Sequence, residues 1–157
     1  MLYYLLVYTF MNMGVFAVVT LFVKSNGKGE KISDFKGFGA QHPLYAFFMA
    51  LFLLALAGVP PTGGFTAKFF ILAAAVNAQY YWLAVLGVVA TAVALFFYAK
   101  VIFYMYMGEP SVAREEIGTG IAGKTVLFIS AAGTMIPGVY PAPFMEMAVK
   151  AIKPFLI

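Results

Sequence analysis

Four stretches of this sequence, residues 1–23, 37–67, 69–99 and 125–145, contain no Asp, Glu, Lys or Arg. A bilayer core needs about 20 apolar residues in helix, and each stretch reaches that length. Only 10% of the 157 residues are charged, where a soluble domain carries about a quarter. A water-soluble globular fold is excluded. So is disorder, which needs low hydrophobicity and high charge. A membrane barrel would alternate apolar and polar residues over strands of about ten, and these runs are unbroken. The class is therefore an all-α membrane protein, read as a single membrane domain over residues 1–157 with about four transmembrane helices. The chain has no Cys, which removes disulfides, thiolate metal sites and cysteine-held iron–sulfur clusters. Its single His cannot build a His-rich metal site. The net charge of +4 gathers in loops, a mark of membrane topology rather than of nucleic-acid binding.

The first span is read at 2–23. No basic residue precedes it, as one would in a signal peptide, and Lys24 follows it, so a retained helix is expected. A polar loop, 24–42, carries four lysines. Pro43 then suits a helix start. The apolar stretch 43–77 is too long for one straight span. It is interrupted at Gly58–Gly64, where two prolines and three glycines in seven residues cannot continue an α-helix. Two readings stand: a hairpin of two half-spans, or one crossing by a broken helix. The piece after the break, 65–76, is about 18 Å long, too short to cross alone, which favours the broken helix. Unwound backbone is tolerated in a membrane only where protein buries it or it lines a wet cavity. Tyr80, Tyr81 and Trp82 mark headgroup level. The third span is 81–107 and the fourth 121–139. The tail 141–157 mixes Glu146, Lys150 and Lys153 with apolar residues, as an amphipathic surface helix does. Loops 24–42 and 108–124 hold six basic residues against two on the opposite side. The positive-inside rule places those loops in the cytoplasm and both termini outside.

Lys68 is the only charged residue between Lys36 and Lys100. It stands nine residues before Asn77, about 14 Å of helix, which places its Cα near the middle of a core about 30 Å thick. A cation there costs about 2.5–3.5 kcal/mol on insertion scales and is a functional candidate by default. Burial in a low-dielectric medium penalises the ammonium relative to the amine, the property a proton-exchanging lysine needs. The competing reading is a structural lysine paired with a carboxylate, which would have to come from another segment or subunit. Lys100 lies about 28 Å along the helix from Tyr81. It reads either as a snorkelling or surface-paired lysine or as a proton relay near the channel mouth. Asn12 is read as helix-packing glue, its amide reaching across helices. His42 reads as a polar residue at a helix start, with a proton-collecting imidazole as the weaker alternative. Pro60, Pro61, Gly63 and Gly64 form the break, where Thr62 and Thr66 are placed to bond freed carbonyls or hold water. Glu115 and Glu116 read as a solvated loop face. There is no phosphate-binding glycine loop and no Ser/His/Asp set.

The stretch Leu54–Phe69, Leu-Ala-Leu-Ala-Gly-Val-Pro-Pro-Thr-Gly-Gly-Phe-Thr-Ala-Lys-Phe, resembles the broken-helix signature of the antiporter-like subunits of respiratory complex I, the bacterial NADH–quinone oxidoreductase. Tyr8–Ala17, Asp34–Phe38, His42–Leu44 and Pro137–Pro141 are similar to the flanking segments of the same family. Among its branches, Lys68 followed by Phe69-Phe70 favours subunit N: subunit M typically has Glu at this position, and subunit L a Ser-Lys-Asp pattern after its break. The resemblance implies the last four helices of a 14-helix subunit built from two inverted repeats. It implies that Lys68 is the lysine of the second broken helix, in the half-channel facing the periplasm of a bacterial inner membrane. It further implies a translocase subunit without catalytic activity of its own, coupling quinone reduction to proton transport. NADH, flavin, iron–sulfur clusters and quinone would lie elsewhere in the complex, with no cofactor in this chain. The implied partners are other membrane-arm subunits, or an N-terminal part of the same subunit carrying the first repeat. Related assemblies with this fold give the alternatives: a multisubunit cation/proton antiporter, a membrane-bound hydrogenase arm, or a non-transporting fragment.

Overall fold

The computed structural model describes residues 1–26, 31–109 and 121–155. Lys28, Glu30, Arg114, Glu115 and Glu116, on which part of the loop and charge reading falls, lie outside the described residues. The described chain is helical: α1 (Leu2–Asn26), a 3-10 turn (Ile32–Phe35), α2 (Phe38–Gln41), α3 (Pro43–Ala57), α4 (Gly63–Asn77), α5 (Tyr81–Met107), α6 (Ile121–Val139), α7 (Ala142–Ile152) and a last 3-10 turn (Lys153–Phe155). α1 runs three residues beyond the expected end at 23, through Lys24, whose cation suits the negative end of a helix. The loop 24–42 is partly structured. Phe22, Phe35 and Phe38 pack as an aromatic triad with centroids 4.8, 5.1 and 5.7 Å apart, which anchors the polar segment to the end of α1.

Among the described residues, three helices, at Leu2–Lys24, Tyr81–Met107 and Ile121–Val139, are long and apolar enough to cross a membrane. α3 and α4, at 15 residues each, are not; each is about 22 Å long. Their neighbours show how they are joined. Down α1, Gly14 faces Phe52 and Met11 faces Gly64. Further on, Val7 faces Gly63, and Tyr3 lies 6.3 Å from the Phe70 ring. Along α5, Tyr106 meets Gly39, Ala99 and Ile102 line a cleft with Leu54, Thr91 adjoins Lys68, and Gly87 meets Leu72. Both series advance steadily through the interruption. α3 and α4 therefore run in one direction, antiparallel to α1 and α5, and form one broken helix; the hairpin reading fails. α6 lies antiparallel to α1, with Gly123 on Leu21 and Gly133 on Phe10.

Buried side chains form two clusters. One, with Phe22, Phe38, Phe48, Phe52 and Leu127, fills the half of the bundle beside the 31–42 segment. The other, with Tyr3, Val7, Met11, Ala55, Leu56 and Ala67, surrounds the break. α7 crosses the start of α1: Met145 and Ala148 line a cleft with Leu2 and Tyr3, while Glu146 and Lys150 are exposed. α5 packs against α3, α4 and the 32–41 segment and leaves a long apolar face outward, including Val85, Val89, Phe96 and Phe103.

Candidate functional site

A helix leaves its last four carbonyls without intrahelical partners. For α3 these are Leu54, Ala55, Leu56 and Ala57. Gly58 follows with φ 89°, a left-handed conformation that costs a side-chain-bearing residue about 1–2 kcal/mol. This geometry turns the chain so that the Val59 and Gly58 N–H groups donate to the Leu54 and Ala55 carbonyls, both at 3.0 Å. These are the paired 6→1 and 5→2 bonds of a glycine C-cap. Lys68 supplies the rest: its Nζ donates to the Leu56 carbonyl at 2.8 Å and to the Ala57 carbonyl at 3.2 Å. The lysine of α4 thus caps α3, and its charge meets the negative end of that helix dipole.

The break itself is shorter than the sequence reading had it. It spans Gly58–Thr62, because Gly63 and Gly64 already belong to the first turn of α4. Pro60 and Pro61, joined by a cis peptide, occupy the turn. Gly64 lies so close to α3 that a Cβ there would fall on the Ala55 carbonyl. Thr62 Oγ1 donates to the Val59 carbonyl at 2.7 Å. Thr66 Oγ1 donates to the Gly138 carbonyl at 3.2 Å, and more distantly, at 3.5 Å, to Thr62. From α1, the Tyr3 hydroxyl donates to the Pro137 carbonyl at 2.7 Å. The end of α6, where Pro137 breaks the helical bonding, is therefore tied to both α1 and α4.

Lys68 is half-buried and borders two cavities. One, of about 170 Å3, is lined by Gly58, Phe65, Phe69, Leu72, Val88 and Thr91 as well as Lys68. The other, of about 190 Å3, adds Tyr4, Ile71 and Gly87. Either exceeds the roughly 30 Å3 that a water takes up in the liquid. Tyr4 stacks on Tyr8 with centroids 5.6 Å apart, and the Asn12 amide donates to the Tyr8 carbonyl at 2.8 Å. Asn12 thus bonds within α1, not across helices. Tyr4, Tyr8 and Asn12 form a polar stripe one turn apart that the sequence reading missed, although its spacing of four was there to see.

Other expected residues lie apart from this site. His42 is buried at the start of α3, with the Phe38 ring at 5.5 Å; its carbonyl accepts the Ala46 N–H at 3.0 Å. Lys100 is exposed on α5, nine residues and about 13 Å of helix beyond Thr91. No group of three or more His, Cys, Asp or Glu placed to hold a metal ion occurs among the described residues.

A family model described as "NADH:quinone oxidoreductase/Mrp antiporter, TM" matches residues 1–94. The chain is 41% identical, over 154 residues, to NADH-quinone oxidoreductase subunit N of Trichlorobacter lovleyi, covering 97% of this chain and 31% of that protein. It is 43% identical over 145 residues to subunit N 2 of Rhizobium meliloti, covering 92% and 30%. It is 36% identical over 156 residues to F(420)H(2) dehydrogenase subunit N of Methanosarcina mazei, covering 94% and 32%. The chain thus spans about a third of the length of the curated relatives it matches. Its fold is that of a chain in respiratory complex I from Thermus thermophilus with bound aureothin, at TM-score 0.75 and 21% identity, covering 89% of this chain and 32% of that one.

Proposed function

This chain belongs to the NADH:quinone oxidoreductase/Mrp antiporter transmembrane family, and on that premise we propose that it is a proton-translocating segment of the membrane arm of an NADH–quinone oxidoreductase, with Lys68 as the group that takes up and releases the proton. The observation that carries this reading is the setting of Nζ. It is held by the Leu56 and Ala57 carbonyls at the end of a broken helix and borders two cavities.

The chemistry is a proton transfer with no redox step in this chain. The α3 dipole and the two carbonyls favour the charged ammonium. The apolar walls favour the neutral amine. Where these oppose each other on one nitrogen, a modest change nearby moves the proton on or off. Lys68 in its ammonium form passes one proton to a water in an adjoining cavity and is left as the amine, which a proton arriving from the other side recharges. Quinone reduction elsewhere in the complex supplies the driving rearrangement, transmitted by neighbouring membrane-arm subunits. The chain itself holds no NADH, flavin, cluster or quinone. The name of the Methanosarcina relative favours a second reading, in which the same arm serves a different electron donor; Lys68 has the same role in both.

Replacing Lys68 with Ala in the assembled complex is expected to lower proton translocation per electron transferred. Wild-type stoichiometry and rate in that variant would remove Lys68 from the mechanism. The basic loops lie in the cytoplasm and both termini outside, in a bacterial inner membrane. Because the chain has no native Cys, single-cysteine variants test this. Ser33→Cys should react with an impermeant maleimide only from the cytoplasmic side, and Gln79→Cys only from the outer side. Labelling of both from one face would contradict the topology.

A further inference from the structure

The far end of α5 carries a basic feature separate from the Lys68 site. Lys100 lines a cleft of about 460 Å3 with Phe96, Ala99, Phe103 and Tyr104. Lys36 Nζ lies 5.6 Å from the centroid of the Tyr104 ring. Lys36 comes from the polar segment, which is fixed here because the Gly37 N–H donates to the Tyr104 carbonyl at 3.2 Å. Two lysines from separate elements, Lys36 and Lys100, therefore adjoin Tyr104 on the wall of an apolar cleft. α5 contributes no Asp or Glu; the nearest acid along the chain is Glu109, exposed two residues past its end and next to Gly108, beside which the Lys36 stem lies. The Asp34 carboxylate accepts the Lys31 backbone N–H at 3.1 Å.

The depth of the cleft selects its occupant. Lys100 is seven residues, about 10 Å, from the end of α5, whereas Lys36 lies outside the apolar runs. The cleft therefore passes from an apolar helix face to the polar boundary, where Tyr104 and Tyr106 suit headgroup level. Lysine stems lie along apolar surface and lift their ammonium groups to that boundary. A free anion has no use for walls of Phe96 and Phe103. A phospholipid with a negatively charged headgroup matches both halves of the site. We propose that Lys36, Lys100 and Tyr104 bind the phosphate of an anionic phospholipid whose acyl chain lies along Phe96 and Phe103.

The test uses the membrane complex that contains this chain, embedded in nanodiscs of mixed phosphatidylcholine and phosphatidylglycerol, with retained lipid read by native mass spectrometry. Phosphatidylglycerol should be retained in preference to phosphatidylcholine. Lys36→Gln and Lys100→Gln should each weaken that retention about fivefold, as expected for one interfacial lysine, and together about 25-fold. Joint replacement of both by Arg should preserve it, as should Lys150→Gln at the opposite end of the bundle. Excess inorganic phosphate should not displace the lipid. Unchanged retention in the double Gln variant would overturn the proposal. So would displacement by inorganic phosphate alone, or carbodiimide cross-linking of Lys100 to a carboxylate of a neighbouring helix. None of these readouts depends on proton exchange at Lys68.

Discussion

The last four carbonyls of α3 all find donors, two from the backbone of a glycine cap and two from Lys68. This gives the lysine a structural role besides any part in proton transfer. A buried acceptor left without a partner costs about 1–3 kcal/mol. Lys68→Met keeps the length of the stem but removes the donor, so the purified protein should melt at a lower temperature. Lys100→Met removes an exposed ammonium and should leave the melting temperature nearly unchanged. A Lys68→Met variant as stable as wild type would show that the cap contributes nothing. The sequence singled out Lys68 by its isolation, and the competing structural reading gave it a carboxylate from another segment or subunit. Within this chain its partners are carbonyls twelve and eleven residues back, and which of the carbonyls freed by the break it reaches depends on how α4 sits against α3.

At the scale of the element, the break works because backbones approach closely. A Cβ on Gly64 would fall on the Ala55 carbonyl, and overpacking of this kind costs about 1–3 kcal/mol. Gly64→Ala should push α4 away from α3, lower thermal stability and loosen the Lys68 cap, which proton-transport assays of the complex would read as reduced coupling. At Gly63 a Cβ would meet a Val7 methyl at 2.7 Å and the Thr134 backbone carbonyl at 2.9 Å, so Gly63→Ala should also lower stability, though less than Gly64→Ala because its backbone obstacle is less close. Much of this element was legible. The prolines and glycines located the interruption, and helices stand over Tyr81–Met107 and Ile121–Val139, where the third and fourth spans were read. The ties from Thr66 and Tyr3 to the end of α6 were not, because they join residues 72 and 134 positions apart. Contacts that distant depend on the packing of whole helices and leave no local periodicity.

Across the whole molecule, the broken helix is clasped between α1, α5 and α6, so that a polar seam enters an otherwise apolar bundle at one level. Tyr3, Tyr4, Thr66, Thr91 and Lys68 meet there from α1, α4 and α5. The outward face of α5 stays apolar, and the chain covers about a third of its relatives' length. In the proposed function Lys68 is a proton carrier as well as a cap, and Lys68→Arg separates the two. Arginine can donate to the same carbonyls, but its guanidinium does not give up its proton in proteins. The decisive measurement is the proton-to-electron ratio of the assembled complex carrying Lys68→Arg, reconstituted in sealed vesicles with electron transfer running. The expected result is an assembled complex whose ratio falls below that of wild type. A wild-type ratio would contradict proton carriage by Lys68 and leave it as a cap alone.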